Sequence, residues 1–403
     1  MKNKLYLASI LLTIISVRIS FGQTAYITNM GGTVSVIDVA ANTVTATIPV
    51  GYDPFAVSVS PDGSKAYITN RFSQLVKVIN TSTNTVTDSI SVGYEASGLF
   101  ASYDGSKVYA VNQNDGTISV ISATADTVTF TITVGASLLG ISMSPDGSKI
   151  YITNTSANAV KVINTTTNTV TNTITVGLRP AGISASSDGI KIYVANNNTN
   201  TVSVINAVTL AVINTITVGS EPYGLSVTPD GSKVYVANNM SNTVSVINTI
   251  ADTVLTTIPV GNSPIGVSVS PDGAKVLVAN SSYNSISVIS TSTNTVTDTI
   301  PVGNVPAAFG NFISIYPQHL GIDALNIKSE NISIYPNPTS GQFTIVLPTD
   351  NATITVTDLL GQQILKTQTT QNTTNLQLDN NGVYIVYVKT KQGTTTRKLI
   401  VNR

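Results

Sequence analysis

An all-β architecture follows from three features of the chain: its residue alphabet, its turn chemistry and a repeat that returns every 42 residues. Thr, Val, Ser, Asn and Ile dominate, and the β-branched members of that set fit a pleated, half-buried surface. Short runs of alternating apolar and polar residues are separated by Asp-Gly and Asn-Thr turns, the pattern of antiparallel hairpins. The repeat is marked by Val-Gly, with its glycine at Gly51, Gly93, Gly135, Gly177, Gly219, Gly261 and Gly303. A second marker, Tyr-Ile-Thr-Asn from Tyr26, returns at Tyr67, Tyr109, Tyr151, Tyr193 and Tyr235, with Leu277 in the seventh place. The first interval is one residue short (67 − 26 = 41), which places a single deletion in the loop after Asn29.

The sixth copy shows the elements in order. Gly224 to Val227 is followed by the turn Pro229-Asp230-Gly231-Ser232, then Lys233 to Ala237, a loop to Asn242, Thr243 to Ile247 and Thr253 to Val260. Four strands in roughly 40–45 residues is the size of one propeller blade. The first copy lacks its first strand, because the repeat opens at Tyr26 with the second. Pro306 to Ile315 supplies the missing one at the far end, and its pairing with the strand at Tyr26 would close a ring that leaves no open edge. The expectation is a seven-bladed β-propeller over 23–315, a linker over 316–330 and a small β-sandwich over 331–403. The sandwich reading rests on strand-like runs at Phe343–Leu347, Thr353–Thr357, Gln363–Lys366, Thr374–Leu378, Val383–Lys389 and Thr395–Val401, with Gly361 and Gly382 in turns.

Residues 1–22 read as a signal peptide: Lys2 and Lys4 precede an apolar stretch from Leu5 to Val17, and Ser20 and Gly22 give a small-residue cleavage region. Arg18 ends the apolar run before the roughly 20 residues a membrane span needs, so no transmembrane segment is expected after the signal is removed. No Cys follows it to carry a lipid anchor.

Tyr-Val-Ala-Asn and Tyr-Ile-Thr-Asn, preceded by Asp-Gly-Ser-Lys and followed by Asn-Thr-Val-Ser-Val-Ile, resemble the YVTN-type β-propeller repeat over about Thr24 to Ile315. That family occurs in surface-layer and other exported proteins and is similar to seven-bladed lactonases and amine-dehydrogenase subunits. A fold shared with such enzymes implies no reaction. The tail resembles the type A C-terminal sorting domain of the type IX (Por) secretion pathway. The matching residues are Tyr335-Pro336-Asn337-Pro338 with Gly341, Val356 to Gly361, Gly382-Val383-Tyr384, and Lys398 to Val401. The resemblance implies engagement of the type IX machinery, transport across the outer membrane, and secretion or retention at the cell surface.

Composition excludes several chemistries. Lys+Arg and Asp+Glu balance at 20 each, leaving no basic surface for nucleic acid. There is no Cys, and the single His, His319, lies in the linker, so a Ser-His-Asp triad or a His-based acid–base pair within the ring is impossible. No catalytic residue, metal site or cofactor is assigned. Asp62, Asp104, Asp146, Asp188, Asp230 and Asp272 share one turn and read as turn formers. Lys65, Lys107, Lys149, Lys191, Lys233 and Lys275 read as exposed hairpin residues. The repeated Asn from Asn29 to Asn280 reads as bonding loop backbone, and the repeated Tyr as packing between blades.

Departures from the repeat point to the binding surface. The turns after Val-Gly and the loops after the repeated Asn emerge on one face, which carries Tyr52, Asp53, Arg71, Phe72, Tyr94, Glu95, Gln113, Asp115, Arg179, Glu221, Tyr223 and Tyr283. Exposed aromatics and arginines are recognition anchors. The opposite face reads as uniform Ser, Thr and Asn. These features favour a binding or scaffold module for a glycan or protein. The alternative, a metal-dependent lactonase or hydrolase, requires Asp53, Glu95, Asp115 and Glu221 to converge at the channel mouth.

Overall fold

The computed structural model describes residues 23–315, 332–337, 339–347, 351–357, 363–390 and 394–401. The signal-peptide segment, the linker with His319, Pro338 and Gly361 lie outside the described residues. Seven four-stranded antiparallel sheets make up the repeat region. Blade two is Pro54–Val59, Lys65–Asn70, Leu75–Asn80 and Thr85–Ser91, ordered from the inside outwards. Blades three to seven repeat this plan from inner strands Ala96–Ala101, Leu138–Met143, Pro180–Ala185, Pro222–Val227 and Pro264–Val269. The middle strands bury their side chains, whereas the outermost strands, rich in Thr, are mostly exposed.

Blade one joins the two ends of the repeat region. Its inner strand, Ile313–Ile315, pairs antiparallel with Gln23–Asn29, and Thr33–Asp38 and Thr43–Pro49 complete the sheet. Thr24 faces Ser314, and the Tyr26 amide donates to Phe312 O at 2.9 Å. This is the closure that the missing first strand implies. The short first loop is also present, three residues between Asn29 and Thr33 against four between Asn70 and Leu75.

The closing segment takes more residues than its counterparts to cover the same stretch of its neighbour. In blade two, Pro54 opposes Asn70 and Ser58 opposes Tyr67, four residues apart (58 − 54). In blade one, Pro306 bridges to Asn29 and Phe312 meets Tyr26, six apart (312 − 306). The two extra residues bulge onto blade two. Phe309 forms a parallel bridge with Ala56, and the Val57 and Val59 amides donate to Phe309 O and Asn311 O at 3.0 and 3.3 Å. Gly310 sits at φ 111°, and a Cβ there would lie 2.7 Å from Val57 O, so only glycine suits the bulge. The Phe309 ring stacks on Phe55 at 5.5 Å and meets Tyr223 of blade six edge-on at 5.6 Å. A cavity of about 60 Å³ beside it is lined in part by Gly98, Gly140, Gly182 and Gly224. Side chains at those four glycines would strike the carbonyl of the next blade's inner strand, so they set how closely the blades approach.

Polar repeat residues bind the blades more tightly than the sequence suggested. The Lys65, Lys191, Lys233 and Lys275 ammoniums reach the next blade, donating to Ala123 O, Thr249 O, Thr291 O and Val39 O at 2.8, 2.6, 2.6 and 2.5 Å. They are half-buried, and Lys65 and Lys191 add ion pairs to Asp126 and Asp252. The exposed-hairpin reading is therefore corrected, because the aliphatic stems span the inter-blade groove and only that reach satisfies the turn carbonyl. The repeated Asn also differs from expectation. Asn29, Asn112, Asn196, Asn238 and Asn280 donate to hydroxyls on the third strand of their own blade, such as Ser35 and Ser119. The loop-backbone role is kept by Asn70, which donates to Val50 O and Tyr52 O, and by Asn112 and Asn154, which accept the Gly93 and Ala157 amides. The repeat Asp residues act as turn formers: Asp104 accepts from the Ser102 hydroxyl and the Ser106 amide, which hold its carboxyl below the ordinary value. The repeated tyrosines are buried, and Tyr235 donates to Asn294 of the next blade at 2.8 Å.

The tail forms a second compact unit. One sheet comprises Ser333–Tyr335, Gln342–Val346 and Thr373–Gln377. The other comprises Gln363–Thr369, Ala352–Thr357, Gly382–Lys389 and Thr394–Val401. Phe343, Ile345, Ile354, Val386, Val388 and Leu399 share the core between them. Gly382 begins a strand rather than occupying a turn, since its amide and carbonyl face Val401 in the ladder. Tyr335 and Asn337 are exposed, and Gly341 donates to the Thr339 hydroxyl.

Phe309→Ala removes the ring buried between Phe55 and Tyr223, a truncation that costs about 3–5 kcal/mol. The urea midpoint of the folded chain should fall accordingly with its β-sheet circular dichroism retained. An unchanged midpoint would show that closure does not depend on this ring.

Candidate functional site

The two sets of loops do lie on one face. In every blade the amide after the repeated Asn donates to the residue that precedes the inner strand: Arg71 to Asp53, Gln113 to Glu95, Thr155 to Ser137, Asn197 to Arg179, Asn239 to Glu221, Ser281 to Ser263 and Met30 to Val305, at 2.8–3.2 Å. Each accepting residue is left-handed, with φ between 48° and 63°, although none is glycine. A strained backbone at one place in every blade is held by the surrounding structure, and its side chain is left free to vary.

Over blades two and three these side chains assemble into a continuous group. The Arg71 guanidinium lies 4.7 Å from the Phe55 ring centre and 5.7 Å from that of Phe72, and donates to Glu95 Oε1 at 3.0 Å. Planar stacking of this kind suits Arg and not Lys. Arg71 Nε and Gln113 Oε1 are buried without a hydrogen-bond partner. Outside this polar centre stand three exposed rings: Tyr52 (75 %), Phe72 (51 %) and Tyr94 (41 %), with Tyr52 and Phe72 6.4 Å apart.

The remaining candidates are dispersed. Tyr223 is on an inner strand rather than in a loop, half-buried against Phe309, and burial pushes its hydroxyl up against the pull of Arg71 and Arg179. Asp115 accepts the Tyr94 amide at 2.7 Å and so shapes the loop. Arg179 and Glu221 are exposed in blades five and six, and Tyr283 in blade seven. Glu95 and Asp53 both lie beside Arg71 and Asp115 holds the Tyr94 amide, and among the described residues no three His, Cys, Asp or Glu side chains gather into a set that could hold a metal ion. Sequence reasoning missed Phe55 and Phe309, which floor the group. Their signal was present: Phe55 stands where other blades have Ser97, Leu139, Ala181 and Ile265, with a second aromatic, Tyr223, in blade six, and Phe309 lies in the lengthened segment.

Burial raises the Asp53 carboxyl above its ordinary value, with Arg71 lowering and Glu95 raising it further. A carboxyl raised in the folded state binds its proton more tightly there than in the unfolded chain. Its contribution to stability is therefore complete below the unfolded value near 3.8 and is lost as pH rises through the folded value. Asp53→Asn cannot ionise, so it should raise Tm by more at pH 7 than at pH 3, by a few degrees at most. Equal shifts at both pH values would contradict the assigned burial.

Residues 179–288 match the model of the YNCE-like β-propeller, and residues 333–402 that of the secretion system C-terminal sorting domain. Among solved structures, a functionally unknown protein from Desulfotomaculum acetoxidans DSM 771 is 19% identical with a TM-score of 0.63, over 73% of this chain and 98% of its own. A putative 6-phosphogluconolactonase from Bacteroides uniformis ATCC 8492 is 17% identical with a TM-score of 0.62, over 73% and 99%. Hydrazine synthase of Kuenenia stuttgartiensis is 20% identical with a TM-score of 0.59, over 63% and 88%. At these identities the likeness is one of fold. No curated protein matches the chain. No helix among the described residues is long and apolar enough to cross a membrane. The chain combines a YNCE-like β-propeller with a type IX sorting tail, which engages that machinery and directs export to the cell surface or the medium.

Proposed function

We propose that the exported propeller is a binding module, and that the loop face over blades two and three takes an extracellular glycan or protein. One observation carries the reading. Tyr52 and Tyr94 occupy a position that holds Ala136, Leu178, Ser220, Asn262 and Asn304 in the other blades, so aromatics at this position are confined to one arc of the ring, blades two and three. Neither ring belongs to the buried core, since both are exposed. Exposed aromatics around a partly desolvated Arg–Glu pair have the composition of an interaction hot spot. Arg71, held by Glu95 and Phe55, would serve as a fixed donor at its centre. Asp53 and Gln113 belong to the same arc, with Asp115, Arg179, Glu221, Tyr223 and Tyr283 as flanking candidates. A lactonase-like reading has only the fold in its support.

The test is a triple replacement, Tyr52→Ala, Phe72→Ala and Tyr94→Ala, in the secreted chain. Because these rings are exposed, Tm should hold within a few degrees, whereas binding to ligands found on glycan and protein arrays should weaken at least tenfold. Undiminished binding would reject this arc.

A further inference from the structure

The face opposite the loop face is less uniform than the repeat suggests. In blade three, Phe100 replaces the inner-strand serine of other blades (Ser58, Ser142, Ser184, Ser226, Ser268), and Tyr103 replaces Pro61, Pro145, Pro229 and Pro271 at the start of the turn. The Tyr103 ring meets Phe100 edge-on at 5.5 Å and is 51% exposed.

The inter-blade clamp fails at the same place. The register of the other blades directs Lys107 (65 + 42) to Thr165 O (123 + 42) and to Asn168 (126 + 42). Donor and acceptor are both present, yet Lys107 makes no ammonium hydrogen bond or ion pair among the described residues, and Asn168 Oδ1 is buried without a partner. At the other two open junctions the sequence explains the loss, because Thr24 replaces the lysine at one and Leu210 the acceptor at the other. Between blades three and four lies a hollow of about 360 Å³, walled by Tyr103, Lys107, Met143 and Thr165, with Asp104 and Asp146 at its rim.

We propose that this hollow is a saccharide site for one or two neutral sugar rings. Its volume falls at the lower end of the 300–1,000 Å³ typical of small-molecule pockets. Tyr103 offers a half-exposed aromatic face for the C–H side of a pyranose. Lys107 supplies a donor, while Asp104 and Asp146 each keep accepting capacity on Oδ2, whose one turn donor is the Ser106 or Ser148 hydroxyl. Sugar hydroxyls both donate and accept, which matches this mixture. Lys107 in the lining offsets Asp104, and Lys149, just outside it, offsets Asp146, so no cluster of like charge selects an ionic ligand. The site is independent of the loop face.

The experiment is saturation-transfer difference NMR on the full secreted chain with cellobiose, lactose and chitobiose as probes. At least one should receive saturation. Tyr103→Pro installs the residue of neighbouring repeats and so preserves the turn; it should reduce the transfer at least tenfold, and Lys107→Met should reduce it several-fold. The loop-face triple variant should leave the Tyr103-dependent part of the transfer unchanged. Absence of transfer to all three sugars overturns the proposal. So does transfer that survives Tyr103→Pro, and transfer abolished by the loop-face variant places sugar binding on the other face instead.

Discussion

The fold depends on the pairing of Gln23–Ala25 with Ile313–Ile315. Each blade is too thin to bury its own apolar side chains, and the hydrophobic clusters straddle neighbours: Tyr235 and Val244 of blade six pack with Val267 and Val278 of blade seven. A linear stack would leave two terminal faces bare, the reason open repeat arrays need caps. Closure removes both ends together. The cluster across the joint contains Leu277 and Val288 of blade seven, Tyr26 and Ile37 of blade one, and Val57 and Ile68 of blade two. The polar clamp continues there, since Lys275 reaches Val39 O and Asn42 donates to Asp298 at 3.0 Å. Phe309 and its neighbours extend the joint inwards, tying the last strand to blade two as well as to blade one.

Closure also explains how a chain with only 10% charged residues uses them. Lys65, Lys191, Lys233 and Lys275 are committed to grooves between blades, and the repeat aspartates to tight turns. Outer strands are solvated instead by threonine hydroxyls, several of which bond each other or nearby backbone, as Thr167 does with Thr169. Short outer edges broken by side chains such as Asp88 and Asp298 limit the edge pairing that flat, uncharged strands invite.

Most of the fold was legible because a repeat states every local rule seven times. Strand order, blade number and the closing strand all followed from the period and from where the first copy begins. What escaped was whatever depends on relations between copies. The reach of Lys65 to Ala123 spans 58 residues, more than one period, so no reading of a single hairpin reveals it. The bulge of the closing segment escaped for another reason: Ala307 to Asn311 reads as ordinary strand, and only the register against Asn29 and Tyr26 exposes the two extra residues. The candidate site was half legible. Tyr52, Arg71, Phe72, Tyr94 and Glu95 were identified as departures from the repeat, and they do cluster. Tyr223 was mistaken for a loop residue because one position separates turn from inner strand there.

The two faces differ in how much variation the fold tolerates. On the loop face the left-handed residue and its carbonyl bond to the next loop are backbone features, kept whether the side chain is Asp53, Ser137, Arg179 or Val305. Side chains there can diverge with little effect on packing, as an aromatic arc over two blades requires. On the opposite face the turn is held by side chains: Asp104 bonds Ser102 and Ser106, and Thr249 bonds Gly231 O. A departure there disturbs several hydrogen bonds, so the substitutions that survive carry more information. Tyr103 is such a departure. It gives up the preset backbone angle of proline beside an open clamp, while the Asp104 turn keeps its bonds to Ser102 and Ser106.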